Sequence, residues 1–283
     1  MRYLRLQKIA FTVIFLFLFV FHSGHLNSEY IIKWEKWEMN THTGQVWDMV
    51  VGAGRNDSVT YIYTIEYNLS GYCEINEYDL VSGYKSRLGT FYDWWPVDIA
   101  IGDGSGLGKN LIYYKNTPGE IYSYEYQNNT WVNKYITYYK DSVELENGLS
   151  VGSLGGAYHI FTFDSDNDLF NIYWTVLLGW TSEEIPYNGF WGNIIPGALT
   201  LGNGDSSVSG NEVYAAASAS SPTKQLYEIY YSWPNWVYEV IDSSISTDII
   251  VAGNIDSWSG REIYVNNNTY DEITEYRKPA ANG

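Results

Sequence analysis

Three aspartates, Asp48, Asp98 and Asp248, recur at multiples of fifty residues, each at the start of a short apolar strand. Paired carboxyl groups are what glycosidases use as acid and as nucleophile or base. If the three strands line a common channel, the carboxyl groups can converge, which is the chemistry of a carbohydrate-active hydrolase or lyase. The alternative is that each aspartate hydrogen-bonds the turn into its own repeat. The copied positions favour that structural role, because a copied residue most simply serves a copied structure.

A second acidic motif could hold a metal ion. Asp164, Asp166 and Asp168 stand at alternate positions, which is how a calcium-binding loop begins. The motif lacks the glycine at position six and the distal glutamate of a complete loop. Asp and Asn also favour the tip of a plain hairpin. The sequence therefore predicts no required cofactor, with Ca²⁺ at this tip as the alternative.

Aromatic residues are unusually frequent, with 28 Tyr, 12 Trp and 10 Phe. Most of them alternate along strands and predict core packing, but a few tryptophans lie in polar loops or at junctions, where burial is harder. Exposed aromatic rings can stack on sugar rings while loop aspartates supply hydrogen bonds. Packing between repeats is the alternative for these rings. The predicted ligand-binding residues are Trp94, Trp95, Trp258, Asp103, Asp205 and Asp256.

The elements that carry these residues are themselves repeated. A strand that ends in glycine begins near residues 48, 98, 148, 198 and 248. Each copy is followed by a polar loop and by further strands in which apolar and aromatic residues alternate. Four short strands in a unit of about 50 residues are typical of a β-propeller blade. The sequence predicts an all-β, five-bladed β-propeller with four strands per blade.

The last repeat ends after its third strand. The other repeats continue into a fourth strand that opens with tryptophan, and Lys33–Met39 at the other end of the chain has that character. We expect residues 30–40 to complete the fifth blade, which closes the ring and removes an open sheet edge. The predicted organisation is a signal peptide over residues 1–28 and a single propeller over residues 29–283.

The N-terminal segment has the layout of a secretory signal peptide. A basic start precedes an apolar run over residues 9–21, and that run is shorter than the ~20 residues that a transmembrane helix needs. An uncleaved signal anchor is the alternative. Cys73 is the only cysteine, so no intrachain disulfide can form. Sequons for N-glycosylation, which fit an exported glycoprotein, occur at Asn56, Asn68, Asn128 and Asn267.

The charge of the chain excludes some partners. After the signal peptide it contains 33 acidic and 13 basic residues. Nucleic-acid backbones and anionic membrane surfaces both require a basic surface, so neither is expected to bind. The expected partner is a glycan or an extracellular protein, and no membrane span is expected after cleavage of the signal.

The strand–loop–strand segments resemble the FG-GAP repeats of integrin-α-type propellers, which also occur in some polysaccharide lyases. The resemblance is carried by Gly102–Gly108 before Leu111–Tyr114, by Gly202–Asp205 with Gly210–Tyr214, and best by Gly253–Tyr264. It spans roughly residues 43–276 and implies a propeller with polar loops at one end of the blades. Family propellers have six or seven blades, whereas this chain has five repeats.

Three functions fit these features. The leading hypothesis is a secreted or cell-surface binding protein that recognises a carbohydrate, as a lectin does, or a protein partner, without chemistry. The first alternative is a hydrolase or lyase that uses the channel carboxyl groups. The second is a structural component of a surface or matrix.

The closure hypothesis makes a direct prediction. Deletion of residues 30–40 should lower the midpoint of thermal unfolding of the whole propeller, because the fifth sheet would lose a strand. The deletion variant and the full chain would be compared by circular dichroism melting. An unchanged midpoint would show that this segment does not close the ring.

Overall fold

The computed structural model describes residues 44–93, 95–117, 119–138, 148–154, 156–163, 168–185, 194–202, 211–218, 224–232, 235–245, 250–253, 262–267 and 272–277. The chain divides into two compact units, residues 1–42 and 43–283, and all described residues belong to the second. The described elements are all strands, so this part of the chain contains no helix that could cross a membrane.

The strands fall into five consecutive groups. The first contains β1 (Gly44–Gly52), β2 (Tyr61–Asn68), β3 (Tyr72–Asp79) and β4 (Lys85–Phe91). The second contains β5 (Pro96–Gly102), β6 (Leu111–Asn116), β7 (Glu120–Gln127) and β8 (Thr130–Tyr138). The third contains β9 (Leu149–Leu154), β10 (Ala157–Phe163), β11 (Leu169–Thr175) and β12 (Gly179–Glu184). The fourth contains β13 (Ile194–Gly202), β14 (Glu212–Ser218), β15 (Lys224–Ser232) and β16 (Asn235–Ile245). The fifth contains β17 (Ile250–Gly253), β18 (Glu262–Asn267) and β19 (Glu272–Arg277).

Each group forms one antiparallel sheet whose strands pair in chain order. The five sheets are the blades of a β-propeller, and the first strands of consecutive blades lie next to one another from β1 to β17. The predicted all-β, five-bladed propeller is confirmed. Four blades show four described strands and the fifth shows three; residues 30–40, predicted to complete it, lie outside the described residues.

The core lies between the blades. Four buried clusters each join one blade to the next along the chain, from blades 1 and 2 to blades 4 and 5. A large aromatic ring stands at the same place on the second strand of each of blades 1 to 4, and all four rings are fully buried: Tyr63, Tyr113, Phe161 and Tyr214. Aromatic residues at these repeated positions therefore supply the contact area between blades.

The glycine that ends the first strand is explained by close approach of the next blade. A Cβ atom on Gly52 would lie 2.8 Å from the Ile101 side chain, and one on Gly202 would lie 2.5 Å from the Cβ of Ala252. Ile101 and Ala252 are on the first strand of the following blade. The repeated glycine thus reflects the separation of neighbouring first strands, and a side chain there would push the blades apart.

A graded pair of substitutions tests this explanation. Gly202→Ala should destabilise the protein by about 2 kcal/mol, because the rigid Cβ of Ala252 cannot move aside without a backbone shift. Gly152→Ala is the matched control. Its Cβ would meet Leu201 Cδ2, at 2.5 Å, which is the end of a flexible side chain that can rotate away.

Urea unfolding of both variants would measure the two effects. Equal losses of stability, or no loss at Gly202, would contradict the close-approach explanation.

Candidate functional site

Two of the three repeated aspartates meet at the junction of blades 1 and 2. The carboxyl groups of Asp48 and Asp98 are hydrogen-bonded to each other. Asp48 Oδ2 accepts a hydrogen bond from the backbone N–H of Ile99 at 2.9 Å, and Oδ1 accepts one from Met49 at 2.8 Å. Asp98 in turn accepts one from the backbone N–H of Gly148, at the start of blade 3. Each carboxyl group therefore binds the first strand of the following blade. Asp248 lies outside the described residues.

The environment of the pair favours a shared proton. Burial raises the pKa of Asp98 well above its ordinary value, and the neighbouring charge of Asp48 raises it further, while Lys115 acts in the opposite direction. Burial also raises the pKa of Asp48, against hydrogen bonds that include the one from Asp98. Asp98 Oδ2 is buried and accepts no hydrogen bond from any N–H or O–H group in the described part of the chain. A proton shared with Asp48 satisfies this oxygen and removes one of two adjacent charges.

Lys115 balances the remaining negative charge. It pairs with Asp98 in the β5–β6 register and is itself buried. Its Nζ donates hydrogen bonds to Thr162 Oγ1, at 3.2 Å, and to the Phe163 carbonyl, both on blade 3. A buried row of polar groups thus runs from blade 1 across blade 2 to blade 3.

The contact within the Asp48–Asp98 pair bears on catalysis. Glycosidases hold their two carboxyl groups about 5 to 9.5 Å apart, on either side of the scissile bond. Two carboxyl groups in hydrogen-bond contact leave no room for that bond between them. The geometry therefore matches the role of joining blades.

The predicted ligand-binding residues Trp95 and Asp103 lie at opposite ends of β5. Trp95 precedes the strand and Asp103 follows it, so a strand of seven residues, about 20 Å, separates them. The Asp103 carboxylate closes its own loop by accepting hydrogen bonds from the backbone N–H groups of Leu107 and Gly108, at 3.2 and 2.6 Å. The two residues cannot contribute to one small site.

Trp95 belongs to a cluster of aromatic rings on the surface of blades 1 and 2. Trp47 stacks on Tyr67 with ring centroids 5.2 Å apart, and Trp95 contacts both rings, at 5.8 Å from Trp47 and 5.2 Å from Tyr67. Trp47 is 40% exposed. Trp95 is fixed by its Nε1–H, which donates to the Tyr92 carbonyl at 3.1 Å. We call Trp47, Tyr67 and Trp95 the aromatic platform.

The other predicted site residues remain predictions. The residues that lie outside the described ranges are Trp94, Trp258, Asp205, Asp256, Asp164 and Asp166. Asp168 lies just before β11 and is half-buried. No cluster of three potential metal ligands occurs among the described residues, and the calcium hypothesis rests on the sequence alone.

A pocket of about 200 Å³ between blades 3 and 4 was not predicted from the sequence. Its polar wall is a chain of hydrogen bonds: His159 Nδ1 lies 2.7 Å from Asn171 Oδ1, and Asn171 Nδ2 donates to Glu183 Oε1 at 2.9 Å. Its aromatic wall is formed by Tyr231 and Trp236, with ring centroids 5.2 Å apart. Burial lowers the pKa of His159, so the ring is neutral at pH 7.

Sequence patterns gave one usable sign of this pocket. The aromatic pair of its wall, Tyr231 and Trp236, has the same five-residue spacing as Tyr126 and Trp131 in blade 2. In each pair the two residues face each other across the hairpin that joins the third and fourth strands of the blade. The repeated pair marks a junction between blades, but the spacing alone does not tell whether a junction is filled or open.

No family model matches the chain, and no curated protein matches it. Among solved structures the chain is similar to the crystal structure of TolB from Acinetobacter baumannii, at 12% identity and a TM-score of 0.49, over 82% of this chain and 55% of that one. The chain thus spans about half the length of that protein. A five-bladed β-propeller, compatible with a binding role, is the class that the described strands define.

Substitutions at Asp98 test the shared proton. Asp98→Asn should change the free energy of unfolding little at pH 7, because an amide can still donate to Asp48 and accept from Gly148. Asp98→Ala should cost about 2 to 3 kcal/mol, because it leaves buried polar groups unpaired. Chemical denaturation would compare the two variants with the parent protein.

The pH dependence gives a second measurement. Because the pKa of Asp98 is raised on folding, the folded state binds more protons than the unfolded state, and this group makes stability fall as pH rises above about 4. Asp98→Asn should reduce that fall. An unchanged pH profile would contradict the shared proton.

Proposed function

We propose that this chain is an exported binding protein that holds a neutral glycan on the aromatic platform and performs no chemistry on it. The observation that carries the proposal is Trp47, a large ring that stays 40% exposed although it is stacked on Tyr67. Export rests on the predicted signal peptide over residues 1–28, and the binding unit is the predicted propeller over residues 29–283.

The geometry of the platform supports the stacking of a sugar ring. The apolar C–H face of a pyranose packs on the flat face of an aromatic ring, and polar groups around the ring fix the orientation. Trp95 is tilted against both partners, at 58° to Tyr67 and 65° to Trp47, so the rings form an angled surface. Because these rings are held by mutual contacts, little side-chain entropy is lost on binding.

Polar groups lie beside the platform. The Trp95 carbonyl accepts a hydrogen bond from the backbone N–H of Thr117 at 2.9 Å, which joins the platform to the β6–β7 turn. The half-buried Glu120 follows the same turn, and its Oε2 accepts a hydrogen bond at 2.8 Å from the side chain of the buried Asn116. A partly exposed carboxylate at such a position suits the hydroxyl groups of a sugar.

The charge of the protein narrows the ligand class. The net charge of the whole sequence is −17, and a field of one sign repels ligands of the same sign. We therefore expect neutral glycans to be preferred over uronic-acid or sulfated ones.

A protein partner is the second candidate, and one described feature favours it. The turn between β11 and β12 presents three apolar side chains, Val176, Leu177 and Leu178, which are all strongly exposed. Trp174, at the base of the same hairpin, is 42% exposed. Contiguous exposed apolar residues of this kind occur where proteins dock.

A matched pair of tryptophan variants tests the glycan proposal. Trp47→Ala should weaken binding of neutral oligosaccharides about tenfold, because it removes the main stacking face. Trp174→Ala is the control, since the residue type and exposure are the same but the residue is far along the chain on blade 3. A neutral-glycan array followed by calorimetric titration would measure both variants.

Two results would contradict the glycan proposal. One is the absence of any glycan bound by the parent protein, and the other is an equal loss of affinity in both variants. Loss of a protein interaction in Trp174→Ala alone would instead favour the second candidate.

A further inference from the structure

The junction of blades 1 and 2 contains a cation that the protein itself supplies. The Arg55 guanidinium lies 5.1 Å from the Tyr61 ring centroid and 4.7 Å from the Tyr126 ring centroid. Its Nε donates to Glu77 Oε2 at 3.0 Å, and Glu77 raises the pKa of Arg55. Tyr126 also contacts Trp131, with ring centroids 5.1 Å apart. The Glu77 carboxylate and the rings of Tyr61 and Tyr126 therefore hold the guanidinium, as cation–π attraction favours, and Trp131 packs against Tyr126.

The pocket between blades 3 and 4 occupies the corresponding place two blades further on. Its aromatic residues, Tyr231 and Trp236, form the second cross-strand pair from the end of the β15–β16 hairpin. Tyr126 and Trp131 hold the same position in the β7–β8 hairpin. The two pairs also have nearly the same ring separation, 5.2 and 5.1 Å. The blade that follows each junction thus presents the same aromatic wall.

The preceding blade supplies corresponding polar groups. Asn171 pairs with Phe161 in blade 3, as Glu77 pairs with Tyr63 in blade 1. The carboxylate of this junction comes from one strand further out, because Asn171 Nδ2 donates to Glu183 Oε1 at 2.9 Å. An acidic group is therefore retained, displaced by one strand.

The two junctions differ in whether a side chain fills the space between the blades. Arg55 lies in the eight-residue connection between β1 and β2, residues 53–60. Strands β9 and β10 are joined by only two residues, and both are glycine, Gly155 and Gly156. This connection has no side chain that could reach into the junction, and a pocket of about 200 Å³ lies there, floored by Leu154 and Ala157.

We propose that the pocket between blades 3 and 4 binds an organic cation, a guanidinium or alkylammonium group, between Glu183 and the rings of Tyr231 and Trp236. The chain contains the occupied form of the same arrangement at Arg55. His159 is neutral and so does not repel a cation. The volume is below the roughly 300 Å³ of pockets that enclose drug-sized ligands, so it suits one side chain or a small amine. The site is independent of the aromatic platform.

The test uses the full-length chain and a pair of neutral and charged probes. N-acetyl-arginine methylamide should bind, as followed by tryptophan fluorescence and calorimetry, and the citrulline analogue, which has the same shape without the charge, should bind about tenfold more weakly. The peptide acetyl-Gly-Arg-Gly-amide distinguishes the sources. Tighter binding of the peptide assigns the site to a side chain of a partner protein, and equal binding assigns it to a small free cation.

Variants at adjacent positions locate the site. Glu183→Gln should weaken binding of the arginine probe about tenfold, because it removes the charge and keeps the shape. Glu184→Gln is the matched control, since Glu184 is also exposed but pairs with Phe170 and does not line the pocket. Both positions are exposed, so both variants should fold, which a thermal melt would verify.

Two results would overturn the proposal. One is no binding of the arginine probe to the parent protein at millimolar concentration, and the other is equal affinity in Glu183→Gln and Glu184→Gln. Trp47→Ala should leave arginine binding unchanged. A failure of the glycan proposal therefore leaves this test intact.

Discussion

The close approach of neighbouring first strands is the constraint on which the rest of the molecule depends. These strands belong to different sheets, so no backbone ladder joins them, and side chains must supply the bonds. Asp48 accepts a hydrogen bond from the Ile99 N–H across one junction, and Ser150 Oγ accepts one from Leu201, at 2.8 Å, across another. Glycine at the strand ends permits the separation that such short side chains can span. Without disulfides, these contacts and the aromatic core hold the blades in order.

Function in such a ring is decided at the junctions, because each blade presents a repeated set of groups and the loops determine what those groups meet. The first loop of blade 1 is long enough to insert Arg55 between Glu77 and Tyr126. The corresponding connection of blade 3 is two glycines long and leaves its junction open. The shorter connection thus leaves open in blade 3 the space that the Arg55 side chain fills in blade 1.

The sequence predicted the parts of the molecule that are copied. The interval between glycines gave the number of blades, because the glycine at the end of a first strand packs closely against the next copy, as Gly52 and Gly202 do. Repetition also brought Asp48 and Asp98 together. The sequence could not predict the exposure of Trp47 or the pocket at His159, because both depend on contacts between residues that are far apart in the chain and belong to neighbouring blades. The sequence around His159 would look the same whether a side chain filled the junction between blades 3 and 4 or left it open.

The buried row from Asp48 through Asp98 and Lys115 to Thr162 makes the first three blades thermodynamically interdependent. Two blades that are not consecutive, the first and the third, both act on the charge balance at one lysine. Independent repeats would unfold as a sum of nearest-neighbour terms. A polar row that crosses a whole blade adds a next-nearest-neighbour term. Non-additive double-mutant energies between Asp48 and Thr162 are its signature, and this part of the ring gains cooperativity that the apolar clusters alone do not provide.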